Sequence, residues 1–600
     1  MLTRYQWKVV ALALAAVVIL GHFYLGIRPL DEITKGRLMD YRDPSGSGDE
    51  ESAAETSSAG VGGSRKALPR IQYEYLARDL TPTQQQRRQA VREAFMHAWE
   101  GYRKYAIGHD ELRPVTNTFK DPFGGWGITL VDSLSTMLVM DLNDVFQDAL
   151  KYLPTNYSSA KPISVFETNI RHLAGLLSAY ELSGKKHQIL LDRARELAEK
   201  LLPAFDNPSG YPAHEYIIDS KTIKGTSTLF AEAGTVQLEF MVLSRHTGNA
   251  TFAQMVQAVT DKLEKMGYEH GMYIPGLYPT RMSLGRGGRF MDAICTFGAM
   301  GDSTYEYFLK EYILTEGKIP QYGRLYIESI DSMKQHMLRQ LPGSDMLFLP
   351  PFDTKHKQLY ARMDHLTCFA AGMLGMGAKI FDRPDDMQVA KGLLETCVYM
   401  YRSTSTGLAP EAWHLPSQAV PYNPLTYKRT EEELLSAHDW WYNNAAEVPM
   451  YEEKDIFESP SELKPPVARP PGLRARESQY LLRPETLESI FIMYRITGDP
   501  KYQEYGWEIF QAIEKYCKTS SGYSAIQRTD FAATDSKEAI AENQSDSMES
   551  FLLAETFKYL YLLFSPPDLI SLDEYVFNTE AHPFERGPVE WESLLLSSQS

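Results

Sequence analysis

From Thr81 almost to its end, this 600-residue chain repeats one loose unit. An apolar helical pattern closes on a small turn, Ser183-Gly184, Thr247-Gly248 or Thr497-Gly498, and a second helical pattern follows. The second helix closes at Gly210-Tyr211-Pro212, Gly276-Leu277-Tyr278-Pro279 or Gly522-Tyr523-Ser524. A weaker copy runs from Gly377 to Gly407-Leu408-Ala409-Pro410. Glycine after the first helix suits the left-handed position where helices end. Ile170, Leu173, Ala174 and Leu177 keep the spacing of one helical face, as do Leu487, Ile490, Phe491 and Tyr494. Little of the body alternates apolar and polar with period two. The pattern predicts an all-α fold of helical hairpins, as an open solenoid or a closed toroid. Every first helix then has the same polarity, and the helix starts gather at one end.

Those starts carry acids. Arg483-Pro484-Glu485-Thr486-Leu487-Glu488 puts a cation and two carboxylates into one turn ahead of an apolar helix. The plan returns at Phe166-Glu167-Thr168-Asn169-Ile170-Arg171, at Ala231-Glu232-Ala233-Gly234 and at Gly301-Asp302-Ser303. A single such acid means little, because the helix dipole favours carboxylates in any first turn. Together, one end collects Glu167, Glu232, Asp302, His365, Glu485 and Glu549. A cup of acids with few cations suits a neutral polyol, and two carboxylates can run acid/base hydrolysis of a glycosidic bond. Arg483 and Arg171 stand close enough in sequence to tune a carboxylate or hold a sugar hydroxyl.

Net charge of −17 argues against a nucleic-acid partner. There is no phosphate loop, zinc-protease motif or serine-hydrolase elbow, and no loop of the EF-hand type. Residues 1–8 read as a short cytoplasmic tail. Residues 9–27 are apolar enough for one membrane-spanning signal anchor. Residues 28–80, rich in Ser and Gly, read as a flexible lumenal stem. The body spans 81–585, interrupted by a proline-rich surface insertion at 457–477, and 586–600 form a tail. Sequons at Asn156, Asn249 and Asn543 fit a lumenal body. The cysteines are Cys295, Cys368, Cys397 and Cys517. They make no zinc pattern; one disulfide or only buried thiols are both open.

Taken in order, several segments resemble the class I α-1,2-mannosidases of glycoside hydrolase family 47. They are Trp126-Gly127-Ile128-Thr129-Leu130-Val131-Asp132-Ser133-Leu134, the Phe166–Arg171 run, Gly301-Asp302-Ser303, Met363-Asp364-His365-Leu366, Leu482-Arg483-Pro484-Glu485-Thr486, Met548-Glu549-Ser550-Phe551 and Phe577-Asn578-Thr579-Glu580-Ala581-His582-Pro583. The anchor and stem are similar to those of the family's fungal-like type II membrane members. The resemblance implies an (α/α)7 barrel and inverting hydrolysis of terminal α-1,2-linked mannose from high-mannose N-glycans. It implies Ca2+ as cofactor and a Golgi or endoplasmic reticulum membrane location, with no obligate protein partner. Glu167 would be the general acid, Glu485 the base that activates water, and Asp302 a third catalytic carboxylate. Thr579 would bind calcium. Arg171, Glu232, His365, Arg483, Phe551, Glu555 and Glu580 would line the pocket, and Cys368 and Cys397 fall at the family's disulfide positions.

Two residues depart from the family pattern. Ser135 stands where the family usually has Asp, which implies a structural effect without loss of catalysis. Met300 stands where endoplasmic-reticulum-type members carry Arg, which leans toward broader, Golgi-type trimming. Two other functions compete: a degradation-linked homologue that recognises mannose with weak or no hydrolysis, and a structural αα-solenoid scaffold. The intact Glu167, Asp302, Glu485 and Thr579 favour the enzyme.

Overall fold

A computed structural model describes residues 68–75, 79–427, 466–531, 536–587, 589 and 591–596. The chain runs through helices α1 (Pro82–Tyr105), α2 (Ile128–Val139), α3 (Asn143–Ala149), α4 (Ala174–Leu182), α5 (Gln188–Leu201), α6 (Gln237–Thr247) and α7 (Ala250–Glu264). It continues through α8 (Asp302–Leu314), α9 (Pro320–His336), α10 (Phe369–Ile380), α11 (Pro384–Arg402), α12 (Glu485–Thr497), α13 (Lys501–Tyr516) and α14 (Phe557–Leu563). The inner helices α2, α4, α6, α8, α10, α12 and α14 each pack on the next in this order. The π-helical turn Leu552–Thr556 ahead of α14 packs back onto α2, so the described contacts close into a ring. Outside it, α3, α5, α7, α9, α11 and α13 each pack on the helix before them, and α1 covers α14.

Composition explains the two layers. Inner helices such as α10 and α12 are buried around nearly their whole circumference, polar residues included. Outer helices such as α5 and α13 bury one stripe and expose the other face. Two glycines set the spacing between inner neighbours. A Cβ on Gly175 of α4 would stand 2.8 Å from the Val131 carbonyl of α2, and one on Gly372 of α10 would stand 3.2 Å from Cα of Ser489 on α12. Ser489 Oγ fills that approach, accepting from the Gly372 amide at 2.8 Å and donating to the Cys368 carbonyl at 2.6 Å. Cys368 and Cys397 form a disulfide that ties the start of α10 to α11. Cys295 and Cys517 are buried free thiols.

The fold is helix-rich but not purely helical. Antiparallel strands of two to four residues decorate the connections among the described residues. Segments this short hold one or two alternations, too few for a period-two signal. One hairpin, Tyr575–Phe577 with Pro583–Glu585, packs on α8 and α4. Its turn, 578–582, carries Asn578, Glu580 and His582 into fully buried positions.

One boundary needs correction, and two assigned segments are more ordered than their composition indicates. The stem does not extend to residue 80: Ile71 is buried, its amide bonds Asp573 at 2.6 Å, and the Tyr73 amide bonds the Arg495 carbonyl. The buried Arg495 guanidinium donates to Gln72 and to the carbonyls of Leu562, Pro567 and Leu569, clamping both ends of the body together. Within the 586–600 tail, Trp591 is buried, and helix Trp591–Leu596 packs on α7. Within the insertion assigned to 457–477, residues Arg474–Glu477 form a strand paired with Ala412–His414. Strand hydrogen bonds come from partners distant in sequence, so proline content nearby does not exclude them. The anchor at 9–27 and residues 457–465 lie outside the described residues. Among those described, no helix is long and apolar enough to cross a membrane.

The Cys368–Cys397 bridge spans 29 residues of sequence. Its loop-closure effect on the unfolded chain corresponds to about 3–4 kcal/mol. Replacing both cysteines by serine is therefore expected to lower the denaturation midpoint measurably. An unfolding curve indifferent to the substitution would contradict a stabilising role for the bridge.

Candidate functional site

The N-terminal ends of the inner helices and the 578–582 turn surround one acidic interior, with Arg171 at its centre. Arg171 lies in the π-helical turn Thr168–Leu173 that precedes α4. Such a turn inserts a residue and re-aims side chains, and is frequent at functional sites. Its Nε donates to Glu167 Oε2 at 2.7 Å, and its Nη1 to Glu580 Oε1 at 2.7 Å and Ser550 Oγ at 2.8 Å. Asp132 lies 3.7 Å from the same guanidinium. Phe551 sits between two cations, 5.6 Å from Arg171 and 5.5 Å from Arg483, and is nearly buried.

Across the interior, Arg483 pairs in bidentate fashion with Glu411 at 2.9 to 3.1 Å and reaches Glu485 at 3.8 Å. Glu485 Oε2 is buried and, among the described residues, has no hydrogen-bond partner. Burial pushes the Glu485 carboxyl up to about 7 against the pull of Arg483, with Glu411 and Glu306 adding to the rise. Burial likewise pushes Asp302 up to about 7; the Ser303 amide opposes, while Glu306, Glu485 and Asp364 reinforce. Glu555 and Glu580 are driven well upward, first by burial. Glu580 and Glu485 add to the effect at Glu555, and Arg171 opposes it at Glu580. Glu488 is raised too, with Lys310 opposing at 3.6 Å. These groups, from different helices, act on one another's ionisation, so the interior is one electrostatic unit.

Backbone strain marks the same places. Met300, Leu482 and Ala581 have positive φ of 78°, 66° and 57°. They stand immediately before Gly301-Asp302, before Arg483-Pro484-Glu485 and after Glu580. Each such conformation costs about 1–3 kcal/mol and persists only when its surroundings hold it. The Ala231 amide holds the Met300 carbonyl, Thr556 Oγ1 holds that of Leu482 at 2.7 Å, and Lys558 Nζ holds that of Ala581 at 2.6 Å.

Thr579 stands at the tip of the buried turn. Among the described residues, neither its hydroxyl nor its carbonyl is engaged in a hydrogen bond, while its amide donates to Tyr307 Oη at 3.4 Å. Beneath the turn, Lys558 donates to Ser135 Oγ at 2.9 Å. Ser135 meets His582 Nδ1 at 3.0 Å, and His582 Nε2 meets Asp132 Oδ1 at 3.0 Å. Burial brings Lys558 down to about 7, with Asp132, Glu555 and Glu580 opposing. Serine at 135 thus leaves this amine facing a hydroxyl and a carbonyl, and continues a relay that ends at Asp132 beside Arg171.

The structure brings Glu167, Arg171, Asp302, Arg483, Glu485, Phe551, Glu555, Thr579 and Glu580 together. Glu232 is already committed: it accepts from His214 at 2.6 Å and, through its other oxygen, from Thr228 and the Leu229 amide at its own helix start. His365 is packed against Tyr401 and Tyr480 and bonded to Thr486 at 3.1 Å; burial, with Arg483, brings it down to about 3, so it is neutral. Glu549 bonds Lys120 at 3.0 Å beside buried Glu111. Asn156 and Asn249 are exposed. Asn543 is not available for a glycan in the folded chain: it is 5% exposed, its Nδ2 donates to the Arg528 carbonyl and its Oδ1 accepts the Arg528 amide. A sequon describes three residues and carries no burial. The site residues that sequence reasoning missed are Glu411, Glu306 and Lys310. Glu306 stands one helical turn after Asp302, on the same face; Glu411 has no such local signal, because Arg483 lies 72 residues away.

Carboxylates gathered at one end of a helical ring, with two held near neutrality by burial, form the equipment of a glycosidase. Residues 94–586 match the family described as Glycosyl hydrolase family 47, and the chain belongs to that family. It is similar to the endoplasmic reticulum mannosyl-oligosaccharide 1,2-alpha-mannosidase of Rattus norvegicus, 37% identical over 506 residues, covering 83% of this chain and 68% of the relative. It is 36% identical over 520 residues to mannosyl-oligosaccharide 1,2-alpha-mannosidase MNS1 of Arabidopsis thaliana, covering 84% and 79%. Among solved structures, the alpha-1,2-mannosidase from Trichoderma reesei superposes with a TM-score of 0.71 at 29% identity, covering 85% of this chain and all of that one.

Burial-raised carboxyls give stability a defined pH dependence. Glu485 and Asp302 titrate near 7 when folded and near 4 when unfolded. The stability linked to holding these protons is full below about pH 4 and is lost as pH rises toward 7. In chelator, the unfolding temperature of Glu485→Gln is expected to rise relative to that of the wild type as pH increases over that window. A difference that stays constant with pH would show that Glu485 ionises normally.

Proposed function

We propose that this protein hydrolyses terminal α-1,2-linked mannose from high-mannose N-glycans, with inversion and with calcium as cofactor, during glycoprotein processing. The observation that carries the reading is Glu485: a buried carboxyl poised near neutrality, with one oxygen unpartnered, beside Arg483 and within the field of Asp302. A general base works best with a pKa close to the working pH. Glu485 takes the proton of the attacking water. Glu167, with one oxygen held by Arg171, protonates the leaving oxygen through a water. Asp302, kept protonated to near neutrality, is the third acid and the competitor for that donor role. Phe551 offers an apolar ring beneath the sugar, flanked by the two guanidinium groups. The ring of seven described inner helices is read as an (α/α)7 barrel, with the cup at its helix N-termini.

The residues around Thr579 fit calcium. Its hydroxyl and carbonyl are two hard oxygens without hydrogen-bond partners among the described residues. Among the described residues no group of three or more His, Cys, Asp or Glu converges as a metal cage, so water and sugar hydroxyls would complete the shell. The acids behind the turn, Glu488, Glu555 and Glu580, are burdened by burial, with Lys310, Arg171 and Lys558 opposing. Bound there, calcium would hold sugar hydroxyls and offset that charge.

Met300 is half exposed beside Gly301-Asp302, and an apolar rim residue there is read as permitting broader trimming. Both relatives are named as mannosyl-oligosaccharide 1,2-alpha-mannosidases, and that of Rattus norvegicus is named for the endoplasmic reticulum. With the apolar run at 9–27, they support a secretory-pathway membrane protein of type II topology with a lumenal body.

Stepwise mannose loss from a high-mannose glycan, followed by product mass, is expected in calcium and absent in chelator. Glu485→Gln is expected to lower kcat by about 10²–10⁴-fold with the fold intact. A folded, calcium-loaded protein that binds the glycan without releasing mannose would favour the mannose-recognising homologue instead. Thr579→Ala is expected to abolish the rise in unfolding temperature that calcium produces, since an ion bound only by the folded form stabilises it. Unchanged calcium stabilisation in that variant would remove Thr579 from the metal site.

A further inference from the structure

We propose that Glu239 and Tyr307 are positioning residues for the Thr579 turn, holding its hydroxyl and carbonyl toward the acidic interior. The inference rests on the calcium reading and adds to it the part of the barrel that sets calcium affinity. Glu239 lies in the first turn of α6, is fully buried and belongs to no motif carried over from the family resemblance. Its Oε1 accepts two bonds, from Tyr307 Oη at 2.6 Å and from Asn578 Nδ2 at 2.9 Å. Tyr307, on α8, spends its only hydrogen on Glu239. Its lone pairs therefore face the Thr579 amide, which donates to it at 3.4 Å.

Asn578 completes the hold. Its Nδ2 also donates to the Ile170 carbonyl at 2.9 Å, next to Arg171. Its Oδ1 accepts the amides of Glu580 and His582, each at 2.9 Å, and its carbonyl accepts Lys310 Nζ at 3.2 Å. The amides of the turn are thus drawn inward, and among the described residues the Thr579 hydroxyl and carbonyl accept no bond. Two inner helices and the terminal hairpin meet at one carboxylate oxygen. Partners of this kind orient metal ligands, and their loss typically costs 10–100-fold in affinity.

The test uses the full chain, stripped of metal with chelator and titrated with calcium chloride in a calorimeter, with unfolding temperature in chelator measured alongside. Tyr307→Phe is expected to weaken calcium binding by about tenfold or more. The calcium concentration for half-maximal activity should shift equally, with kcat at saturating calcium unchanged. Glu239→Gln is expected to keep near wild-type affinity, because the amide oxygen can accept the same two bonds. Should Tyr307→Phe unfold in chelator, Asn578→Ser carries the same expected loss. Wild-type calcium affinity in Tyr307→Phe, whatever its unfolding temperature, would overturn the inference and leave the calcium site standing. A wild-type protein that takes up no calcium would overturn the calcium reading and this inference with it.

Discussion

One guanidinium organises the interior. Arg171 binds Glu167, Glu580 and Ser550 and lies beside Asp132, so a single side chain joins the start of α4, the terminal hairpin, the segment before α14 and helix α2. Burying a cation is tolerable only with charged partners in good geometry, and the acids in turn need the cation. The closed ring supplies what both require: helix ends converging on one interior where cation and acids are shielded from water.

That convergence has an energetic consequence that local sequence does not carry. Glu485, Glu488 and Asp302, each in the first turn of its helix, would ionise easily on an isolated helix, where the dipole helps. Brought together and shielded from water, Glu485, Asp302, Glu488, Glu555 and Glu580 all resist ionisation. Strained backbones at Met300, Leu482 and Ala581 and two π-helical turns add further cost around the same space. The rest of the structure bears it through the apolar inner helices, the disulfide and the Arg495 clamp. A stable outer body surrounding a destabilised interior is the arrangement that acid/base chemistry on a neutral sugar requires.

Much of this was legible beforehand, for reasons that differ by element. The hairpin unit was readable because helix faces and glycine-ended turns are local: Gly184, Gly248 and Gly498 do adopt the left-handed conformation. The motif acids were readable because the first turn of a helix announces itself in sequence. Short strands were not, having too few residues to show a period. Nor were the docked ends: only the packing around Ile71 and Trp591 reveals them as core. Ser135 drew attention as a departure, but its place between Lys558 and His582 joins residues more than four hundred positions apart.

By itself, then, the sequence determined the helical hairpins, the polarity that sends their acids to one end, and membership of a glycosidase family. Those properties follow from spacing and residue type, which the chain states locally. Only the tertiary structure decided which oxygens remain unpartnered and which are spent. Glu232 and Asn543 are committed to their neighbours, whereas Glu485 and Thr579 retain open oxygens. Glu411, Tyr307 and Glu239 acquire their roles from partners brought across the ring. A side chain's hydrogen-bonding capacity is a property of its type, but its satisfaction depends on what closes around it.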